Sequence, residues 1–210
     1  RVRSSAASDV YKRQDMTVIN KHLKNYEKYR AYYKSPFLML GNQATNMTIS
    51  PKEYFRVDDY KTIDPDGGDY SDLTSDLSSL HQQFETVFNL GTIEHIWDAH
   101  TAWSNALKLV KVGGYFVGVS PVHGYWRHGI HVTDPVAITT FIQKNGFQLL
   151  DSYLSHKKGW SINNIADANK GKWATNDVLL WYAAKKIEHK DKIEPVTQIW
   201  DAGTNTIDSK

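Results

Sequence analysis

The sequence predicts an α/β fold: a mostly parallel sheet of about seven strands with helices on both faces. Three observations carry this. Residues 84–121 read strand, loop, helix, turn, strand. Further short apolar or β-branched runs lie at 36–40, 60–63, 147–153 and 178–184, and a second helical stripe stands before the third of them. Hydrophobic residues make up 40% of 210, ordinary for one globular domain with a sizeable core.

The 84–121 stretch organises the rest. FETVFNL is a buried-strand run, and Ala99, Ala102, Trp103, Ala106, Leu107 and Val110 then recur at helical spacing. Gly113-Gly114 is expected to end that helix, residues 115–119 to form the next strand, and Pro121 to stop it. A strand–helix–strand unit implies a parallel pair with a right-handed crossover. Such sheets bind ligands beyond the carboxyl ends of their strands, which places residues 89–95 and 120–131 on one rim.

Composition narrows the function. With 25 basic and 23 acidic residues the net charge is +2, and no basic stripe of a dedicated nucleic-acid binder is present. There is no cysteine, which excludes disulfides, thiolate catalysis and cysteine-ligated zinc. No apolar run reaches the ~20 residues that span a bilayer. No signal peptide is visible, so a cytoplasmic location is the expectation. Residues 1–15 read as a non-native or disordered leader; RVRSSAASDVYKRQ resembles adapter or cloning sequence of the kind found at the ends of assembled environmental reads. The domain is expected over 16–186 and a polar tail over 187–210.

In chain order, residues 18–33 place Ile19, Leu23, Tyr26, Tyr29 and Tyr33 near helical spacing, a helix across the sheet edge. Residues 36–40 are the first strand, and Gly41-Asn42-Gln43 is its turn. Ser50-Pro51-Lys52-Glu53 is a capping box opening a short helix. The second strand, 60–63, ends in Asp64-Pro65-Asp66-Gly67-Gly68. Asp64 stands 23 positions after Gly41. A carboxylate at that distance can accept hydrogen bonds from ribose hydroxyls; it can equally cap the turn. The spacing from Asp64 to Phe84 is too short for an intervening helix and strand at full length, so a trimmed third βα unit is expected. Asp134 and Pro135 start another helix, ended by Asn145-Gly146. Residues 155–176 read as a long hairpin insertion.

Residues 120–134, SPVHGYWRHGIHVTD, hold His123, His128 and His131 beside Tyr125, Trp126 and Arg127. Histidine takes a proton near neutral pH, so this is the densest group of acid–base candidates. The spacings of five and three residues fit no standard zinc pattern, so no metal is expected.

FETVFNLGTIEHI followed by LKLVKVGGYFVGVSP resembles the fourth strand, its loop and the fifth strand of class I S-adenosylmethionine-dependent methyltransferases, over roughly residues 36–185. The resemblance implies a Rossmann-like class I methyltransferase fold with the last strand antiparallel, and S-adenosyl-L-methionine as cofactor. It implies cofactor contacts at Gly41, Asn42 and Gln43 near the methionine moiety, Asp64 at the ribose, and Asp76 with Leu77 at the adenine. Asp72-Leu73 is a near duplicate of that pair, four positions earlier. Leu90, Gly91, Thr92 and Glu94 would border the cofactor from the fourth strand. His123, His128 and Tyr125 are the candidates for catalytic acid–base work. The chain departs from the family at Met39, where an acid is usual, and in having a single glycine in the first loop. The implied activity is methyl transfer to a small-molecule or sugar/nucleotide acceptor, without stable nucleic-acid or membrane binding. Two alternatives stay open: a methyltransferase-like binding domain without catalysis, and a nucleotide-sugar or dinucleotide enzyme.

Overall fold

A computed structural model describes residues 23–41, 51–124, 129–156, 161–162, 178–201 and 204–207. Its main sheet has seven strands: β1 (Phe37–Leu40), β2 (Tyr60–Ile63), β3 (Phe84–Leu90), β4 (Val110–His123), β5 (Phe147–His156), β6 (Ser161–Ile162) and β7 (Val178–Lys186). The order across the sheet is β2-β1-β3-β4-β7-β5-β6. β2, β1, β3 and β4 are parallel, and β7 enters antiparallel between β4 and β5. This is the expected mostly parallel sheet, with its last long strand reversed.

Alternation along the strands divides the core into two clusters, one on each face. On one face, Leu38, Leu40, Val87, Phe116 and Leu180 pack against α3 (Ala99–Leu109) and α4 (Pro135–Lys144) through Ala102, Ala106, Ile138 and Ile142. On the other, Phe37, Met39, Phe88 and Trp181 pack against Tyr26 and Tyr29 of the α1 region (α1, Leu23–Lys28) and Phe55 of α2 (Pro51–Phe55). The second face is aromatic: the Tyr26 ring meets Phe88 and Trp181 edge-on, with centroids 6.0 and 5.0 Å away. α1 therefore lies over the middle of the sheet, where its tyrosines find aromatic partners on β3, β5 and β7, and not across an edge as expected.

The helix starts follow from local sequence. Asp98 accepts from the Thr101 amide at the head of α3, and Asp134 from the Val136 and Ala137 amides at the head of α4, with Pro135 in its first turn. The end of α3 differs from expectation. It stops at Leu109, and β4 begins at once, running through Gly113-Gly114. The β3–β4 register shifts between Phe84 and Thr86, and Gly113 takes φ +88°, so these glycines form an irregularity in a strand. A Cβ at Gly114 would stand 2.7 Å from the Glu85 carbonyl oxygen, which is why no side chain fits there. Nor does Pro121 stop the strand: β4 reaches His123 beside β7, with the register shifting between the two.

The third unit is trimmed, as the short spacing implies. Residues 69–80 contribute one parallel bridge, Ile63 to Tyr70, and a 3-10 turn at Ser78–Leu80. Asp69 and Tyr70 stand where a neighbouring strand would. The Thr62 amide donates to the Asp69 carboxylate at 2.9 Å, the Tyr70 amide to the Thr62 carbonyl at 3.0 Å, and the Asp64 amide to the Tyr70 carbonyl at 2.8 Å.

Beyond Lys186 the expectation of a polar tail without packing needs correcting. Ile193 and Val196 pack against the face covered by α3 and α4, and Asn145 holds this segment by donating to the Glu194 carbonyl and accepting from the Glu194 amide. β8 (Gln198–Asp201) and β9 (Thr204–Ile207) then pair as a separate hairpin. Two isolated apolar side chains suffice once α4 offers a groove; they form no stripe that periodicity detects. The leader and most of the hairpin insertion lie outside the described residues.

Candidate functional site

The carboxyl ends of β1, β2, β3 and β4 meet along one rim, and a belt of hydrogen bonds fixes the loops there. It starts in a row of three directly paired residues, Asn89 on β3, Gly118 on β4 and Tyr182 on β7. Gly118 has no side chain, so the Tyr182 phenol crosses β4 and accepts from Asn89 Nδ2 at 3.0 Å. A Cβ at Gly118 would collide with that phenol oxygen. Burial pushes the Tyr182 phenol well above its ordinary range, against the hydrogen bonds from Asn89 and Ser120, so the group stays protonated.

Asn89 spends its carbonyl on the loop after β3. Oδ1 accepts from the amides of Thr92 at 3.1 Å and Ile93 at 3.4 Å. Thr92 Oγ1 in turn donates to the Leu40 carbonyl at the end of β1, 2.7 Å away. The Gly41 amide then donates to the Ile63 carbonyl at the end of β2, 2.9 Å away. The belt thus runs from β7 to β2 and sets the height of each loop. Gly41 is required twice over: its φ is +83°, and a Cβ there would stand 2.6 Å from Thr92 Oγ1.

Glu94 follows in a 3-10 turn, Ile93–His95, with its side chain buried. Two glycines make room for it. A Cβ at Gly91 would stand 3.0 Å from Glu94 Oε1, and one at Gly129 3.0 Å from Glu94 Cγ. The Glu94 carbonyl accepts from the amides of Ile130 and His131 at 2.7 and 3.0 Å, so the loop after β4 is laid directly over the loop after β3. The sequence placed both loops on one rim; the structure joins them through Glu94.

Of the expected cofactor residues, Gly41, Asp64, Leu90, Gly91, Thr92 and Glu94 come together here. Asp64 directly follows β2, and its Oδ1 accepts from the Asp66 amide at 2.7 Å. That is the turn-capping role. A carboxylate has about four acceptor positions, so the same group can also take a ribose hydroxyl. Asp76 and Leu77 stand elsewhere. The Asp76 carboxylate caps the 3-10 turn through the Ser78 amide, which holds it below the usual carboxylate range, and Leu77 is buried in the core on the α3–α4 face. Asn105 donates to the carbonyls of Leu73 and Ser75, pinning this segment beside the second turn of α3, roughly 9 Å below the start of that helix at 1.5 Å per residue. Asp72, two residues after the Tyr70 bridge, lies nearer the rim.

His123 ends β4 at the rim and is exposed. Asn42, Gln43, Tyr125 and His128 lie outside the described residues. Met39 is buried in the aromatic face, so the position where the family carries an acid points into the core. Sequence reading did not single out Asn89, Gly118 or Tyr182. The only signal was a polar Asn at the end of an apolar strand.

No family model matches the chain, and no curated protein sequence matches it. Solved structures do. A chain in the complex of a proposed methyltransferase from Haloferax volcanii with the Trm112 methyltransferase activator is 11% identical, with a TM-score of 0.58, over 90% of this chain and 100% of that one. A proposed S-adenosylmethionine-dependent methyltransferase from Listeria monocytogenes is 11% identical, with a TM-score of 0.54, over 80% and 98%. The N-methyltransferase NodS from Bradyrhizobium japonicum, in complex with S-adenosyl-L-homocysteine, is 14% identical, with a TM-score of 0.52, over 80% and 88%. At these identities the likeness is one of fold. The chain has the class I methyltransferase fold.

Proposed function

We infer that the chain binds S-adenosylmethionine at this rim and transfers its methyl group to a small-molecule acceptor, a sugar or nucleotide included. The observation that carries the reading is the belt from Tyr182 to Ile63. It holds a side-chain-free turn at Gly41 and a carboxylate at Asp64 beside each other, at the carboxyl ends of β1 and β2. Both fit a ribose-bearing ligand: the turn admits close backbone approach, and the carboxylate accepts from hydroxyls. Binding of such cofactors by proteins of the same fold, as in NodS with S-adenosylhomocysteine, supports it.

The sulfonium of the bound cofactor supplies both the methyl group and the leaving group. What remains for the chain is to hold acceptor and donor in line, which rigid loops do by removing rotational freedom beforehand. An acceptor hydroxyl or amine must also lose a proton. His123 at the rim is a candidate base, with His128 and Tyr125 in the same loop sequence; a positioned base is worth roughly 10²–10⁴-fold. The proton passes to the imidazole and then to solvent, to which His123 is open.

A second reading has its own observation. Met39 is buried and the first loop has one glycine, so a methyltransferase-like domain that binds without turnover is consistent with the same rim. Calorimetric titration of the full chain with S-adenosylmethionine, S-adenosylhomocysteine and NAD tests the first step. Binding of the two sulfur nucleotides and not NAD is expected. A folded sample that binds neither removes the methyl-transfer reading. Binding with no methylation of any acceptor offered would favour the second.

A further inference from the structure

A groove of about 380 Å³ lies between α3 and α4, beside the rim, and the acid–base reading makes no use of it. Its walls are Trp103 and Phe141, with Ala137 and Ile138, and its far side is closed by Pro195 and Val196. The volume is that of a site for a small organic molecule, and the lining has the matching character of apolar walls with few polar groups. A smaller cavity of about 10 Å³, the room of one water, shares Trp103, His131 and Thr133 with the groove and reaches Glu94 and Ser120 on the rim. The groove therefore has a narrow neck toward the candidate site.

His131 lines both cavities. Its Nε2 is 3.0 Å from the Trp97 carbonyl oxygen, which can only accept, so Nε2 carries the proton. In the neutral ring Nδ1 is then an acceptor. The Trp97 ring lies tilted against this ring at 6.3 Å and is 81% exposed. Among the described lining residues there is no lysine or arginine; Asp134 supplies a carboxylate in the groove and Glu94 another in the neck.

We propose that this groove holds the methyl acceptor, and that the acceptor is a small planar aromatic molecule, neutral or cationic, bearing an N–H or O–H donor. The acceptor role rests on the methyl-transfer reading above. The ring faces of Trp103 and Phe141 favour a flat apolar body. An anionic ligand would meet carboxylates and, among the described lining residues, no lysine or arginine. The acceptor nitrogen of His131 selects a donor-bearing edge at the entrance of the neck.

The test uses the full chain and three probes of one shape and different charge: indole, tryptamine and indole-3-acetate. Calorimetry is expected to show indole and tryptamine binding, with indole-3-acetate at least tenfold weaker. Ala137→Trp fills the groove and should weaken tryptamine tenfold or more, with S-adenosylhomocysteine affinity unchanged. His131→Phe keeps the ring and removes the acceptor; it should weaken tryptamine about threefold or more in a variant with native unfolding behaviour. Equal binding of indole-3-acetate, no aromatic binding by a folded sample, or full tryptamine affinity in both variants overturns the proposal. Tryptamine binding without S-adenosylhomocysteine binding would instead overturn the donor reading, and with it the acceptor role.

Discussion

The two ends of the sheet tie their elements together in opposite ways. At the rim, beside the buried Glu94 carboxylate, the belt itself is made of neutral groups: an amide, a phenol and a hydroxyl, linked from Tyr182 through Asn89 to Thr92. At the base a charged group does the joining. Lys186, 2% exposed at the end of β7, donates to the carbonyls of Leu107 and Val110 at 2.9 and 2.8 Å and meets His189 Nδ1 at 3.2 Å. It closes the carbonyl end of α3, where a cation is favoured by the helix dipole. The base fastens a helix to the sheet; the rim sets the shape of loops. A neutral network carries no large desolvation penalty, so it can be spread across β7, β3 and β1. A single ammonium can be buried only where several acceptors converge on it.

The largest effect is expected at the base. Lys186→Met should remove about 3 kcal/mol of stability in urea unfolding, because two carbonyls lose their donor. Cofactor affinity of the folded fraction should stay the same. The pH dependence has a definite sign. Burial lowers the Lys186 amine to about 8, against about 10.4 for a lysine in the unfolded chain. Between about pH 8 and 10 the unfolded state therefore binds more protons, and stability rises with pH. Lys186→Met should lose that slope.

Asn89→Ala should cost about 2 kcal/mol, since two loop amides and the Tyr182 phenol lose their partner together. Unlike the base variant it should also weaken S-adenosylhomocysteine; unchanged affinity would mean that the belt does not shape the site. Asp64→Ala should weaken S-adenosylhomocysteine by about 1.5 kcal/mol, the scale of a hydrogen bond to a charged group, with little change in unfolding. Full affinity in that variant leaves Asp64 as a turn cap alone. Asp76→Ala is the smallest, with no resolvable change in either measurement, as for an exposed residue away from the site. A loss of affinity would return Asp76 to the adenine side.

The sheet was legible because its strands are buried on both faces and so read as continuous apolar runs: FLML, FETVFNL and VLLWYAA. Capping chemistry was equally local, and Asp134-Pro135 and Asn145-Gly146 mark α4 as read. The errors share one cause. Gly113-Gly114 signals a break in any element, and only the β3–β4 register decides that it is a strand irregularity. The same holds at the rim. Gly41 and Asp64 stand out by motif, but Gly118 matters only because Tyr182, 64 positions later, lies beside it. Ile193 and Val196 likewise pack onto the core, half-buried, through a groove that no local pattern announces.

The missing third strand has a consequence for behaviour in crowded solution. Losing it leaves β2 as the outermost long strand on that side, and an unpaired strand edge is a template on which a second copy can add. Asp69 and Tyr70 occupy that edge from Thr62 to Asp64, and the Asp69 carboxylate sits on the Thr62 amide that an incoming strand would need. The trimmed unit thus occupies, on this edge, the backbone groups that a second copy would have to pair with.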